Sequence, residues 1–139
     1  MEQKWLTKKI EYEGFPLYLR KPDYQDIFIY RDKFPNVLHV THNLKEVKSN
    51  GLPESDYNES LFEFDGQMCN IFDTKDKGII FLIETFAGKR HYYYFISDSA
   101  DYEKGIEKVK RDNPDLDIEI HSYADKEWGF LKDYPTKLY

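Results

Sequence analysis

Apolar positions are densest between Gly78 and Asp98, in the run GIIFLIETFAGKRHYYYFISD. Two arms rich in β-branched and aromatic residues flank Ala87-Gly88, the pattern of a hairpin closed by a two-residue turn. With Ala87 and Gly88 as the loop, position 86 faces 89 and pairing runs outward. One face then carries Ile80, Leu82, Glu84, Phe86, His91, Tyr93 and Phe95. The other carries Phe81, Ile83, Thr85, Arg90, Tyr92 and Tyr94. A slip of one residue in either arm would shuffle the two sets. Neither face is polar, so both need cover.

Lys4 to Leu19 reads as an earlier hairpin about Glu13-Gly14, in which positions 10 and 17 face each other and Pro16 calls for an edge or a bulge. Ile27 to Tyr30 fits a short strand or a single buried helical turn. Val37 to Leu44 reads as a strand with Leu38 and Val40 on one side and His39, Thr41 and Asn43 on the other. Asn50-Gly51 marks a turn. A helix is expected from Ser55 or Asp56 to about Phe72, with Asp56 and Glu59 at the spacing of a capping box. Tyr57, Leu61, Phe64, Met68, Ile71 and Phe72 form its apolar stripe. Gly66 weakens that helix by ~1 kcal/mol relative to Ala, and a close approach to the sheet would explain it. Asp73 to Lys77 links to the central hairpin. A second helix, capped by Asp98 or Ser99, carries Tyr102, Ile106 and Val109 and stops at Asn113-Pro114. Leu116, Ile118 and Ile120 then alternate with Asp117, Glu119 and His121 as in a half-buried strand. A short tail follows, built around Trp128 and Phe130.

From Val37 the order is strand, helix, strand, strand, helix, strand. This is the split βαβ, ferredoxin-like arrangement of an α+β protein: an antiparallel sheet with two helices on one face, here with an N-terminal β-hairpin extension. The expected neighbours are 116–123 beside 37–44, then 89–96, then 79–86. One domain is expected over 1–139: hairpin and connector in 1–36, ferredoxin-like core in 37–124, tail in 125–139. Leu38, Val40, Ile80, Leu82, Tyr93, Phe95, Leu116, Ile118 and Ile120 should face the helices. An open face should show His39, Thr41, Phe81, Ile83, Arg90, Tyr92, Tyr94, Glu119 and His121. The N-terminal hairpin, a second subunit or a ligand could cover it.

The chain has 139 residues, 17% aromatic, which argues for a packed core over disorder. Its net charge of −6 disfavours general nucleic-acid binding. Acid is concentrated between 98 and 127, where ten Asp and Glu stand against five Lys and Arg. A solvated acidic helix accounts for this, and a basic partner would fit it too. Cys69 is the single cysteine, so no internal disulfide forms, and it reads as a small buried hydrophobe. The start, MEQKWLTKKI, has no long apolar h-region, so no secretory leader is expected, and no run approaches the length of a membrane span. The expected setting is the reducing cytoplasm, with no membrane and no nucleic acid.

Phe34-Pro35, Asn50-Gly51-Leu52-Pro53, Gly88-Lys89-Arg90 followed by Tyr92-Tyr93-Tyr94, and Asp125-x-x-Trp128 occur in one order. Together they resemble the bacterial domain-of-unknown-function family 695, over Trp5 to Tyr134. That resemblance implies a fold and no assigned activity. The C-terminal half is also similar to the regulator of ribonuclease E activity B, a small acidic inhibitor of that nuclease. Asp125, Trp128 and Gly129 echo its terminal Asp-Gly-Trp-Gly pattern. Here two residues separate Asp125 from Trp128, and a long acidic run is lacking, so inhibition is an analogy of fold.

Candidate chemistry is sparse. His39 and His121 share a face of adjacent expected strands, with Glu119 nearby, a set that suits zinc. His42 and His91 are expected to point elsewhere, and no His-x-x-x-His pair occurs, so hydrogen-bonded histidines are the plainer reading. Glu84 and His91 face each other across the hairpin as an acid–base pair or, more simply, a structural cross-strand pair. Tyr92-Tyr93-Tyr94 resembles the stacking platforms of RNA-binding sheets, but the acidic balance favours core packing. Trp128 is either a peg closing the core or, if exposed, a binding hot spot. No catalytic constellation emerges, so an enzyme is not the favoured reading, and no cofactor is implied. Two readings remain. One is a non-enzymatic interaction or regulatory module that meets a protein partner through Tyr92, Tyr94, Arg90 and Trp128. The other is a small-ligand or metal site on the open face, built from His39, His121, Glu119, Arg90 and Tyr92.

Overall fold

The structure, a computed structural model, describes residues 4–72 and 74–139, so the expected link begins at a residue outside the described part. The strands are β1 (Trp5–Tyr12), β2 (Phe15–Pro22), β3 (Asn36–Asn43), β4 (Gly78–Phe86), β5 (Lys89–Ile96) and β6 (Ile118–Ala124). They form one sheet in the order β1-β2-β4-β5-β3-β6, antiparallel at every junction. The helices are α1 (Ser55–Ser60), α2 (Phe62–Cys69), α3 (Tyr102–Asp112) and α4 (Gly129–Asp133), with a 3-10 turn at Ile27–Tyr30. From β3 onward, element order and neighbours are those of the expected ferredoxin-like core. Among the described residues no helix is long and apolar enough to cross a membrane.

Both hairpins form as expected. Ile10 pairs with Leu17 in the first, and Phe86 with Lys89 in the second, where Ala87 and Gly88 take φ of 52° and 82°. Those left-handed angles belong to the turn whose twist matches two strands folding back on each other. The N-terminal hairpin extends the sheet by pairing Tyr18–Arg20 with Ile83–Thr85. Pro16 lies before that pairing begins, where its missing N–H costs nothing.

The expected long helix is broken. Leu61 leaves helical geometry at φ −88°, ψ 3° and joins α1 to α2. Glu54 stands at the N-cap of α1 without a side-chain hydrogen bond, so the Asp56/Glu59 capping box does not form. Asp101, not Asp98 or Ser99, precedes α3, again without a side-chain cap. The apolar stripes hold nonetheless: Leu61, Phe64, Met68, Ile106 and Val109 are buried. A Cβ on Gly66 would meet open space, which removes the expected close approach there. Gly105 makes the close approach, where a Cβ would lie 3.1 Å from Ile71 Cγ2.

The sheet is apolar on both faces, and two cores result. Under α2 and α3, Phe64, Met68, Ile106 and Val109 pack on Leu38, Val40, Ile80, Ile83, Tyr92 and Tyr94. On the other face, Phe34, Ile27, Trp128 and Leu138 pack on Val37, Ile79, Phe81, Leu82, Tyr93 and Phe95. The expected face assignment is therefore corrected for Leu82, Tyr93 and Phe95 in one direction and for Ile83, Arg90, Tyr92 and Tyr94 in the other. One register and one bulge cause this. Tyr92 lies opposite Val40 and Tyr94 opposite Leu38, and directly opposed residues share a face. A bulge between Ile80 and Leu82 then reverses the parity of β4, pairing Ile80 with Tyr94 and Ile79 with Phe95. The second face is not open. The 3-10 turn and the C-terminal segment seal it, while the N-terminal hairpin widens the sheet.

Candidate functional site

Towards β2 the helix face of the sheet is bordered by α1, the loop before it and the start of α2, whose Asp65 binds Arg20 of β2. The uncovered strip forms a groove of about 310 Å³. Its floor is Thr7, Tyr18, Arg20, Ile83, Thr85 and Arg90; its wall is Lys48, Leu52, Pro53, Ser55 and Asn58. Strand parity places the floor residues: Tyr18 lies opposite Thr85, Arg20 opposite Ile83, and Thr85 opposite Arg90. The wall is held down by Gly51, whose carbonyl accepts from Gly88 N–H at 2.8 Å. A second lobe of about 500 Å³ is lined by Glu59, Leu61, Phe62 and Asp65 and shares Arg20, Asn58 and Arg90 with the first.

Among the described residues, the first lobe is lined by three cations, Arg20, Lys48 and Arg90, and by no carboxylate. Arg20 is bound bidentately by Asp65, at 2.9 and 2.6 Å. The Tyr92 hydroxyl donates to the same carboxylate at 2.7 Å. Burial works against the Asp65 charge, but the Arg20 pair, then Tyr92 and the Arg90 charge, hold this carboxyl below its ordinary value. Arg90 is different. It is 7% exposed and its Nε donates to Thr85 Oγ1 at 2.9 Å, Nη2 to Asn58 Oδ1 at 2.7 Å. Among the described residues it makes no ion pair. The direct partners of this buried guanidinium are neutral, and Asp65, already paired with Arg20, acts on it only through space, so donors remain to meet an anion from the groove. Beside it on β3, opposite in register, His42 is fully buried with both ring nitrogens lacking a hydrogen-bond partner among the described residues. Burial and then the Arg90 charge push its pKa down to about 4.

The other polar cluster lies on the second face. His39 and His91, expected to diverge, meet: His39 Nε2 and His91 Nδ1 are 2.7 Å apart, with Thr41 Oγ1 at 3.1 and 3.2 Å. Glu84 faces His91 as expected, at 4.0 Å, and accepts from the Tyr134 hydroxyl. Burial, then charge from His91 and His121, pushes His39 down to about 4. Burial and then Lys89 do the same to His91. Burial raises the Glu84 carboxyl although Tyr134 opposes it. None of the groove's lining residues belongs to this cluster, and it packs under Tyr93 and the C-terminal segment. His121 lies opposite His39 on the exposed edge strand β6, while the Glu119 carboxylate accepts from Asn43 at 2.9 Å. Among the described residues no group of three or more His, Cys, Asp or Glu is placed to hold a metal ion. Cys69 is half-buried, and burial pushes its thiol up to about 12, which leaves it protonated and unreactive.

The residues expected to face a partner are mostly interior. Tyr92 and Tyr94 are 0% exposed; Tyr94 donates its hydroxyl to the Met68 carbonyl. Trp128 is 1% exposed, stacked on Phe95 at 3.8 Å, with Nε1 donating to the Phe34 carbonyl. Of the expected set, Arg90 lines the groove. Its neighbours Arg20, Lys48, Asn58 and Asp65 were not singled out from the sequence. The available signal was parity: Leu17 and Leu19 point to the second core, so Tyr18 and Arg20 must point to the other face.

Compared with known proteins, residues 25–135 match the profile of a family described as Family of unknown function (DUF695). No curated protein and no solved structure matches the chain.

Proposed function

The chain belongs to the DUF695 family of unknown function, and from that premise we propose that it is a small-ligand binding module that takes an anion in the groove between β2, β4, β5 and α1. The observation that carries this is Arg90, a buried guanidinium oriented by Thr85 and Asn58 and without an ion pair among the described residues. Its planar fork suits a carboxylate or phosphate. The volume lies within the usual range for small-molecule sites, and the mixed lining of cations, hydroxyls, Leu52, Pro53 and Ile83 suits one. Among the described residues that line the groove no nucleophile is paired with a base, and the reading is one of binding. An interface built on Tyr92, Tyr94 and Trp128 is not favoured, because those side chains offer no surface.

The test is titration with inorganic phosphate and with acetate at low salt, followed by calorimetry and by ligand-dependent thermal shift. Saturable binding of at least one anion is expected, weakened about tenfold or more by Arg90→Gln, since hydrogen bonds to charged groups are worth ~1.5–3 kcal/mol. Lys48→Ala, at an exposed wall position, should weaken it less and leave the unliganded melting temperature unchanged. Wild-type protein with no saturable response to either anion would sink the proposal.

A further inference from the structure

Phe62 is 80% exposed, the highest value among the exposed large apolar side chains of the described residues. It opens α2, one position after Leu61, which is buried at the joint between the two helices. Phe62 lines the second lobe of the groove together with Arg20, Arg90 and Asn58. A phenyl ring left this exposed forgoes the stabilisation that burial would give it. Here it forgoes that beside a guanidinium whose position is set by Thr85 and Asn58. The second lobe, about 500 Å³, is also larger than a bare phosphate or carboxylate would fill. An apolar lip next to a fixed cation is the pairing that recognises a molecule with one charged and one flat end.

We infer that the ligand of this groove is an anion carrying an aromatic ring, its charged head on Arg90 where the two lobes meet and its ring against Phe62. This rests on the anion-binding reading above and names the chemical class that the site takes. Leu61 adds apolar wall to this lobe; of its two carboxylates, Asp65 is engaged by Arg20, and Glu59 disfavours a second negative charge at that end. The aromatic end is therefore neutral. A phosphate head and a carboxylate head share this geometry.

Phenyl phosphate is compared with inorganic phosphate, and benzoate with acetate, by calorimetry on the full chain and on Phe62→Ser. The aryl compound should bind about tenfold tighter than its bare head group, a gain of the size that stacking supplies. Phe62→Ser should erase most of that gain and leave the affinity for the bare head group unchanged. Which pair responds tells a phosphate head from a carboxylate head. Equal affinities for aryl and bare anions, or a gain that survives Phe62→Ser, would overturn the inference while the anion-binding reading stands. No binding of any of the four would overturn both. Because Phe62 is solvent-exposed, the variant should keep the wild-type melting temperature, so a lost gain reports the contact and not the fold.

Discussion

Single residues explain why the sealed face stays sealed. Trp128 adopts φ 53°, a left-handed backbone that a bulky residue takes only when its surroundings enforce it. Asp125 does the enforcing: its carboxylate accepts from Gly129 N–H at 2.7 Å and Phe130 N–H at 3.1 Å, and its carbonyl from Trp128 N–H. The Asp-x-x-Trp-Gly pattern is thus a cap that aims an indole into the core. Trp128→Ala should cost about 3–5 kcal/mol, the range for deleting a large buried aromatic. Urea denaturation followed by circular dichroism checks this, and a loss under 1 kcal/mol would refute the peg. Gly66 presents the reverse case. Its Cβ position is empty space within α2, so Gly66→Ala should raise stability by about 0.5–1 kcal/mol. A drop in the urea midpoint would show that the helix needs the glycine.

At the scale of elements, the turn at Asn50-Gly51 matters more than its length suggests. It docks on the β4–β5 hairpin, and so positions the loop that walls the groove. Gly51 sits at φ 88°, and an added Cβ would fall 2.8 Å from Ala87 Cα. Both the angle and the backbone contact oppose any side chain. Gly51→Ala should therefore destabilise by more than ~1 kcal/mol and weaken anion binding in the same protein, read by melting temperature and by calorimetry. Unchanged values in both would detach the wall from the hairpin. The bulge in β4 is the other decisive element. One extra residue at Phe81 lets Phe81 and Leu82 both serve the second core, while Ile80 and Ile83 serve the first.

For the whole molecule, the histidines make stability depend on pH. His39, His42 and His91 have pKa values pushed down to about 4, below the ordinary ~6.5 of an unfolded chain. The folded state thus binds fewer protons than the unfolded one between those values. Their contribution is complete above about pH 6.5 and is lost as pH falls toward 4. Glu84, raised by burial, works in the opposite sense, its contribution being greatest at low pH. Three groups outweigh one, so the urea midpoint should fall between pH 7 and pH 4.5. His39→Gln should flatten part of that slope; a midpoint independent of pH would contradict the buried neutral pair.

Much of this architecture follows from local pattern. Hairpins about Glu13-Gly14 and Ala87-Gly88, the stripes of α2 and α3, the order β6-β3-β5-β4 and the cross-strand pair Glu84–His91 all rest on nearest-neighbour periodicity and turn chemistry, which a sequence carries in full. Face assignment does not. Side chains alternate with period two, and where both faces are apolar no polar position marks the outside. One bulge and one register then decided that Tyr92 and Tyr94 lie under the helices and Tyr93 under Trp128. The groove has the same origin. Arg20, Lys48, Asn58 and Arg90 are far apart along the chain and meet because β2 extends the sheet beside β4, where α1, its preceding loop and the start of α2 border a charged strip that no local pattern could announce.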